Sequence, residues 1–234
     1  MVLNKASGNM YDWVDCTHTH HRGRCPHGCS YCFVQHMRCA RFYQGPLILK
    51  ESELKVNYYR FGKGQTIFVE HMTDLFAEGV PEDNIERVLA HCREYHENTY
   101  VFQTKNPARP VKFYMNRKMP EGFILGATIE TDDEKLTNRF SKAPEPADRA
   151  RYLGMVKNHT TFLTIEPIMK FNLHELSELV KLANPYWVNI GADSKNQHLP
   201  EPTWNEVMAL IDELKANGIE VREKSNLERL KKDG

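Results

Sequence analysis

Three cysteines in one short segment carry the strongest chemical signal in this sequence. Cys25, Cys29 and Cys32 form a C-x3-C-x2-C run, with Gly28 inside it and Tyr31 just before the last cysteine. Thiolates are the usual ligands of iron–sulfur clusters, and three of them can hold three irons of a [4Fe-4S] cube. Gly28 would let the loop turn tightly around the cube. The spacing therefore predicts an iron–sulfur cluster in which one iron has no protein ligand.

Two alternatives compete with the cluster. Zinc could bind these thiolates with His20, His27 or His36 as a fourth ligand, but zinc sites usually show paired ligands with a separating stretch, which is missing here. Unbound thiols are the second alternative, although four of the six cysteines lie within residues 25–39. In a reducing compartment such crowding favours metal binding over disulfides.

The composition indicates one soluble globular domain. The 234 residues are 41% hydrophobic and 26% charged, and Lys plus Arg equal Asp plus Glu at 31 each. This balance gives no overall positive field that would attract nucleic acid. The sequence contains no apolar run long enough to span a bilayer, and residues 1–11 lack a signal-peptide core. We therefore expect a single domain over residues 1–234 that is cytoplasmic and makes no membrane contact.

Short apolar strands alternate along the chain with amphipathic helices. Strands are predicted near 67–69, 100–102, 123–129, 161–165, 187–190 and 219–221, and helices over 81–98, 111–115, 148–157, 173–182 and 203–217. Nearly continuous apolar strands separated by helices indicate a parallel sheet covered on its outer face. We predict an α/β fold of full or partial (β/α) barrel type, with its core in residues 10–200. Residues 201–234 would add a C-terminal helix and a closing segment.

Polar side chains follow the predicted strands, at the barrel edge where chemistry is usually found. These side chains are Glu70, Thr73, Asp74, Lys105, Thr128, Glu130, Glu166, Asn189 and Asp193. Any one of them could instead cap the next helix or shape a turn, because Asp, Asn and Thr favour such positions. The sequence therefore predicts a polar site at this edge and leaves the role of each member open.

The cysteine run, with an aromatic residue before its last cysteine, resembles the signature of the radical S-adenosylmethionine (SAM) superfamily. The resemblance implies a partial (β/α)6 barrel, in agreement with the predicted strands. It implies that Cys25, Cys29 and Cys32 hold a [4Fe-4S] cluster whose open iron binds SAM. Reductive cleavage of SAM would give a 5′-deoxyadenosyl radical that abstracts hydrogen from an organic substrate. The electron would come from a donor such as flavodoxin or ferredoxin.

The strand ends are similar to those of spore photoproduct lyase, a member of this superfamily. Residues 68–74 end in a Thr-Asp pair, and residues 103–105 resemble the Thr-Lys of the lyase. The whole chain also resembles an uncharacterised family of phage and bacterial proteins distantly related to that lyase. The likeness implies SAM contacts at Thr73, Asp74 and Glu70 (amino group), Lys105 (carboxylate), Thr128 and Glu130 (ribose), Tyr31 (adenine) and Glu166 (SAM or substrate).

The substrate is less well defined by the sequence. Asn189, Asp193 and Lys224 are assigned to substrate contacts because they would face the same cavity. The lyase likeness implies a nucleic-acid base or nucleotide, and two basic stretches would suit phosphate. These stretches contain Arg22, Arg24, Arg38 and Arg41, and Lys105, Arg109, Lys112, Arg117 and Lys118. Peptide or small-molecule modification is the alternative within the class; an iron–sulfur electron carrier or a zinc-binding module is the alternative outside it.

The remaining cysteines are given separate roles. Cys16 or Cys39 could donate hydrogen to a product radical, although neither lies in a motif that can be aligned. Cys92 lies on the apolar face of a predicted helix, so we expect it to be a core thiol.

Overall fold

A computed structural model of the chain describes residues 3–232. Within that range the strands are β1 (Asn4–Lys5), β2 (Cys16–His18), β3 (His21–Arg22), β4 (Ile48–Leu49), β5 (Thr66–Val69), β6 (Thr99–Thr104), β7 (Phe123–Thr128), β8 (Thr161–Ile165), β9 (Trp187–Ile190) and β10 (Glu220–Glu223). The helices are α1 (Glu82–Glu94), α2 (Ala108–Met115), α3 (Glu134–Phe140), α4 (Pro146–Leu153), α5 (Leu173–Ala183), α6 (Trp204–Ala216) and α7 (Glu228–Lys232). The ends of the predicted domain at residues 1–2 and 233–234 lie outside the described residues.

Eight strands form one sheet in the order β1-β2-β5-β6-β7-β8-β9-β10. β1 pairs antiparallel with β2, and every other neighbouring pair is parallel. β3 and β4 form a separate antiparallel pair. The predicted α/β fold with parallel strands and outer helices is therefore confirmed. All six predicted strands are present, whereas β2 was missed because Thr17 and His18 give this buried strand no apolar run.

The helices follow from local sequence signals. α6 begins at a capping box, in which Thr203 and Glu206 each bind the other's backbone N–H. Asn172 caps α5 through its side chain. α1 ends at Glu94, four residues before the predicted end, where the backbone of Tyr95 leaves the helical conformation. α3 and α7 are short additions that the pattern did not predict. Every helix described between residues 3 and 232 is too short or too polar to cross a membrane.

The two faces of the main sheet bury different side chains. One face packs against the helices and forms the large apolar core, which includes Cys92 at 0% exposure as predicted. The opposite face buries an aromatic layer to which the segment before β2 contributes. Tyr11 stacks on Trp13 with ring centroids 5.2 Å apart, and Trp13 meets Phe162 and Trp187 edge-on. The N-terminal segment is thus part of the inner packing of the sheet.

Candidate active site

The cysteine loop lies between β3 and a short 3-10 helix that begins at Phe33. Cys29 is buried, while Cys25 and Cys32 are half-buried, and all three are free thiols. Gly28 has a φ of 57°, a conformation that residues with a Cβ rarely adopt, so the turn inside the motif favours glycine. The three thiols therefore belong to one tight loop, as the spacing predicted.

Backbone hydrogen bonds hold the cysteine loop against the segment that follows α3. Ser30 donates its N–H to the carbonyl of Phe140 (2.9 Å), and Lys142 donates to the carbonyl of His27 (2.8 Å). Cys29 Sγ also lies 3.1 Å from Ser141 Oγ. The segment at residues 140–142 follows β7, so these bonds fix the loop at the carboxyl-terminal side of the parallel sheet.

Asp74 is a second anchor of the cysteine loop. Its Oδ2 lies 2.9 Å from His27 Nε2 and accepts hydrogen bonds from Thr104 Oγ1 (2.9 Å) and the backbone N–H of Lys105 (2.8 Å). Burial alone would raise the pKa of Asp74, but His27 and the donated hydrogen bonds outweigh burial and lower the pKa below its usual range. Asp74 therefore ties the loop to the end of β6, and its predicted contact with SAM stays a prediction.

The thiols fit an iron–sulfur cluster in their chemistry. Burial, followed by the charge of Asp74, raises the pKa of Cys25 to about 12, and burial also raises the pKa of Cys32. Without a cation these groups stay protonated. Iron supplies the positive charge that a buried thiolate needs, so three neighbouring thiols in a partly closed loop suit a metal cluster.

A buried network of charges lies beside the cysteine loop. Glu130 Oε1 accepts a hydrogen bond from Tyr31 OH (2.9 Å) and pairs with Lys105 Nζ. Glu130 Oε2 pairs with Arg149 Nη1 at 2.7 Å, and the same Nη1 donates to the carbonyl of Thr128 at 3.0 Å. Tyr31, Lys105, Thr128 and Glu130 were each predicted as site residues, and the structure brings all four together.

Arg149 is the member of this network that the sequence interpretation missed. Its side chain is 0% exposed, and its Nη2 has no hydrogen-bond partner among residues 3–232. Pro146, Ala150 and Leu153 are buried on the same face of α4. An arginine on that apolar face could have indicated a buried, paired charge. A buried guanidinium with a donor to spare fits an anionic group such as the carboxylate of SAM.

Acid is expected to weaken this network through Glu130. Burial alone would raise the pKa of Glu130, but the charges of Lys105 and Arg149 lower it from 4.5 to about 2. A carboxyl with a lowered folded-state pKa adds stability above its unfolded pKa and loses that stability as the pH falls toward the folded value. We expect a loss on the order of 3 kcal/mol between about pH 4.5 and about pH 2.

Urea unfolding of the wild type and of Glu130→Gln across this pH range tests the prediction. Other acids titrate in both proteins, so the difference between their unfolding free energies reports on Glu130. This difference should shrink as the pH falls. A difference that stays constant through the window would contradict it.

A polar layer lies on the inner face of the sheet, next to the aromatic layer. Tyr11 OH is 2.8 Å from both Gln103 Oε1 and Thr164 Oγ1. Gln103 donates to Thr128 Oγ1 (2.8 Å), and Asn189 donates to Thr164 Oγ1 (3.3 Å). The layer connects the predicted residues Thr128 and Asn189 with Gln103, which also follows a predicted strand, and it adds Tyr11 and Thr164, which were not predicted as site members.

Glu166 and Lys224 meet beyond the ends of β8 and β10. Lys224 Nζ lies 2.8 Å from Glu166 Oε2 and 4.8 Å from the ring centroid of Tyr11. Asn9 and Asn226 donate hydrogen bonds to Glu166 Oε1 at 2.9 and 2.7 Å. Lys224 is thus held in a polar group of side chains rather than on an open surface.

Asp193, Glu70 and Thr73 lie in different surroundings. Asp193 Oδ1 accepts from the backbone N–H of Lys195 (3.0 Å), so this carboxylate shapes its own loop. Glu70 is buried with a φ of 62°, and Thr73 donates to its Oε2 at 2.6 Å. Glu70 Oε1 accepts the backbone N–H of His20 (2.8 Å) and therefore faces a group of buried histidines. Contacts of these three residues with SAM or substrate stay predictions.

The two basic stretches differ in what they offer to phosphate. Within the second, the following cations already have partners: Lys105 with Glu130, Arg109 with the carbonyls of Ala77 and Val80, Lys112 with Glu82, and Lys118 with Glu86. In the first stretch Arg24, Arg38 and Arg41 are exposed. The first stretch, around the cysteine loop, is therefore the better candidate for an anionic partner.

The chain shares its fold with radical SAM enzymes of known structure. More particularly, the chain belongs to the protein family of unknown function DUF5131, whose sequence model matches residues 9–221. No curated protein matches the sequence.

Solved structures with the same fold include spore photoproduct lyase and SuiB of Streptococcus suis. A lyase mutant is 10% identical, with a TM-score of 0.61, and the match covers 82% of this chain and 58% of the lyase. Another, with bound AdoMet and dinucleoside spore photoproduct, is 11% identical, with a TM-score of 0.57 and coverages of 89% and 63%. SuiB bound to precursor peptide SuiA is 11% identical, with a TM-score of 0.63 and coverages of 89% and 48%. The match thus spans about half to three fifths of each of these longer chains.

Proposed function

We propose that this protein is a radical SAM enzyme whose cluster is held by Cys25, Cys29 and Cys32. The observation that carries the proposal is the position of these thiols. They lie in one loop, which Asp74 and the backbone bonds of residues 140–142 fix beside the ends of the parallel strands. When bound, a [4Fe-4S] cluster and SAM supply reductive SAM cleavage and hydrogen abstraction from an organic substrate.

The buried charge network prepares the site for SAM in this proposal. Lys105 and Arg149 provide cations near the loop, and Glu130 holds both in place from its two carboxylate oxygens. A carboxylate of SAM would satisfy the spare donor of Arg149. Thr128 offers its hydroxyl to the ribose. Tyr31 is assigned to adenine. Its backbone carbonyl accepts a hydrogen bond from the side chain of Gln197 at 2.7 Å, which orders this edge of the loop.

Asn189, Asp193 and Lys224 are assigned to substrate contacts, and Glu166 to SAM or substrate. The proposed substrate is a nucleic-acid base or a nucleotide, in a repair or modification reaction. The exposed arginines near the cysteines support this assignment, as does the dinucleoside bound to the lyase of the same fold. A base in a duplex would have to leave the stack to reach the site. The reaction is assigned to the cytoplasm, with a donor such as flavodoxin or ferredoxin.

Peptide modification is the second candidate, and one finding favours it. SuiB, which has the same fold, is bound to a precursor peptide. The second basic stretch is also mostly engaged in contacts within the chain, which leaves less charge for a nucleic-acid backbone. Both candidates require the same SAM cleavage, so one assay of that cleavage with different added substrates can separate them.

The test is SAM cleavage by the full chain under anaerobic conditions. The purified protein is reconstituted with iron and sulfide and reduced with dithionite, and 5′-deoxyadenosine is measured by chromatography after SAM is added. We expect 5′-deoxyadenosine to form, and to increase with nucleosides or oligonucleotides more than with peptides. A brown protein that never cleaves SAM with any substrate would favour an electron carrier. A colourless protein that holds zinc through these cysteines would refute the proposal.

A further inference from the structure

A second group of buried ionisable side chains has no part in the function proposed above. His18 lies at the end of β2, His20 precedes β3, and His91 lies in α1. These three residues, here called the histidine cluster, are between 0% and 4% exposed. One nitrogen from each lies within 4.8 Å of the others. Three buried histidines brought together from separate elements require a physical reason, because burying polar groups is costly unless they are paired.

The outer nitrogens of two of these histidines are fixed by acceptors. His91 Nε2 lies 2.9 Å from the carbonyl oxygen of Val56, and His20 Nδ1 lies 3.2 Å from the carboxylate of Glu70. A carbonyl and a carboxylate can only accept, so each of these nitrogens carries the hydrogen. His91 Nδ1 and His20 Nε2 then both bear lone pairs. These two atoms lie 3.0 Å apart with no hydrogen to share between them.

The third histidine repeats the arrangement. His18 Nε2 lies 3.1 Å from the carboxylate of Glu53, so His18 Nδ1 bears a lone pair. That nitrogen is 2.7 Å from Tyr58 OH, and the same hydroxyl is 3.3 Å from His20 Nε2. One phenolic hydrogen cannot satisfy both nitrogens. Three inward lone pairs therefore face a single hydrogen, and the cluster needs a cation at its centre.

Two carboxylates lie directly behind the histidine cluster. Glu53 is 3.1 Å from His18 Nε2, and Glu70 is 3.2 Å from His20 Nδ1. Negative charge on the outer side of the imidazoles favours a cation on their inner side.

We propose that His18, His20 and His91 bind a divalent transition-metal ion, zinc or ferrous iron, with the oxygen of Tyr58 as a fourth ligand. Imidazole is a preferred ligand of both metals. Nitrogen ligands at a tetrahedral zinc lie about 3.3 Å apart, and the observed contacts between inward atoms are 2.7, 3.0 and 3.3 Å. Small movements would admit the ion.

The groups around the cluster match those around known metal sites. Ligating histidines usually donate their other ring N–H to a carboxylate or a backbone carbonyl. Glu53, Glu70 and the carbonyl of Val56 are those three acceptors. The two carboxylates also balance the charge of a divalent ion. A cavity of about 460 Å³ is lined in part by His18 and Glu53 and so reaches the edge of the cluster.

The test measures zinc binding in a full-length variant with Cys25, Cys29 and Cys32 replaced by serine, which removes the cysteine loop as a competing site. After treatment with a chelator, the protein is titrated with Zn²⁺, and with Co²⁺ as a spectroscopic probe. We expect one equivalent to bind, with ligand-field bands of a nitrogen–oxygen site and a raised Tm, since an ion that binds only the folded state stabilises it.

Further substitutions in the same background assign the ligands. His91→Gln is expected to weaken zinc binding at least about tenfold, whereas the matched control His96→Ala, exposed just beyond α1, should bind like the parent. Tyr58→Phe should also weaken zinc binding, because it removes the proposed oxygen ligand while it keeps the aromatic ring in the core. A folded parent that binds no ion, or folded His91→Gln and Tyr58→Phe variants that bind as the parent does, would overturn the proposal. Failure of SAM cleavage would not affect this readout.

Discussion

Cys29→Ala is expected to abolish both the brown colour and the SAM cleavage of the reconstituted protein. The [4Fe-4S] cube needs all three thiolates, so the variant should lose the bound sulfide and about four irons per chain. Cys29 is the most buried of the three thiols and lies 3.1 Å from Ser141 Oγ, inside the loop that the backbone bonds hold. The measurements are iron and sulfide content, and 5′-deoxyadenosine yield with and without the substitution.

Cys39→Ala is the matched control for this prediction. Cys39 is a half-buried thiol that lies outside the C-x3-C-x2-C run and near the start of a short 3-10 helix. The control should keep its iron and its SAM cleavage, because a hydrogen donor to a product radical would act after both. Full iron content in Cys29→Ala would show that this thiol is not a ligand.

Arg149→Met is expected to destabilise the protein by about 3 kcal/mol, the lower end of the cost of breaking a buried ion pair, because Lys105 still compensates part of the remaining charge. The charge left behind is that of Glu130, whose side chain is 1% exposed and whose Oε2 contacts Arg149 Nη1 at 2.7 Å. Methionine keeps most of the volume of the side chain, so the loss comes mainly from charge and hydrogen bonding. Urea unfolding near neutral pH measures the effect.

Arg151→Met on the same helix is the control for Arg149. Arg151 pairs with Asp148 at 2.7 Å, but both side chains are about half exposed. Exposed pairs of this kind contribute little, so we expect a change within about 0.5 kcal/mol. Equal losses in the two variants would mean that the buried network does not stabilise the fold. A stability loss without any loss of SAM binding would assign Arg149 to structure alone.

The strands and the cysteine loop could be predicted because their signals are local. β6 and β8 each contain a short apolar run, and such runs between helices are typical of buried parallel strands. The cysteine spacing is also a local signal, because all three thiols lie in one loop. By contrast, β2 contains Cys16, Thr17 and His18, and it is a strand because β5 pairs with it in parallel. β5 lies about 50 residues further along the chain, so the sequence of this short polar segment does not show that the two strands pair.

The parts of the site that were missed depend on long-range burial. Arg149 and Tyr11 look like an outer-helix arginine and an N-terminal tyrosine when only neighbours in sequence are considered. Their roles come from Glu130, Gln103 and Thr164, which the fold brings to them from other elements. Glu70 was predicted from its position after a strand, but position alone could not say that it faces histidines rather than the cysteine loop.

Tyr11 joins two layers on the inner face of the sheet. Its ring belongs to the aromatic packing with Trp13 and Phe162, while its hydroxyl bonds Gln103 and Thr164 in the polar layer. Successive inward side chains of a strand lie about 7 Å apart along it, so one residue spans a full step in depth. A substitution of Gln103 or Thr164 would therefore also remove a bond that holds the segment before β2 against the sheet.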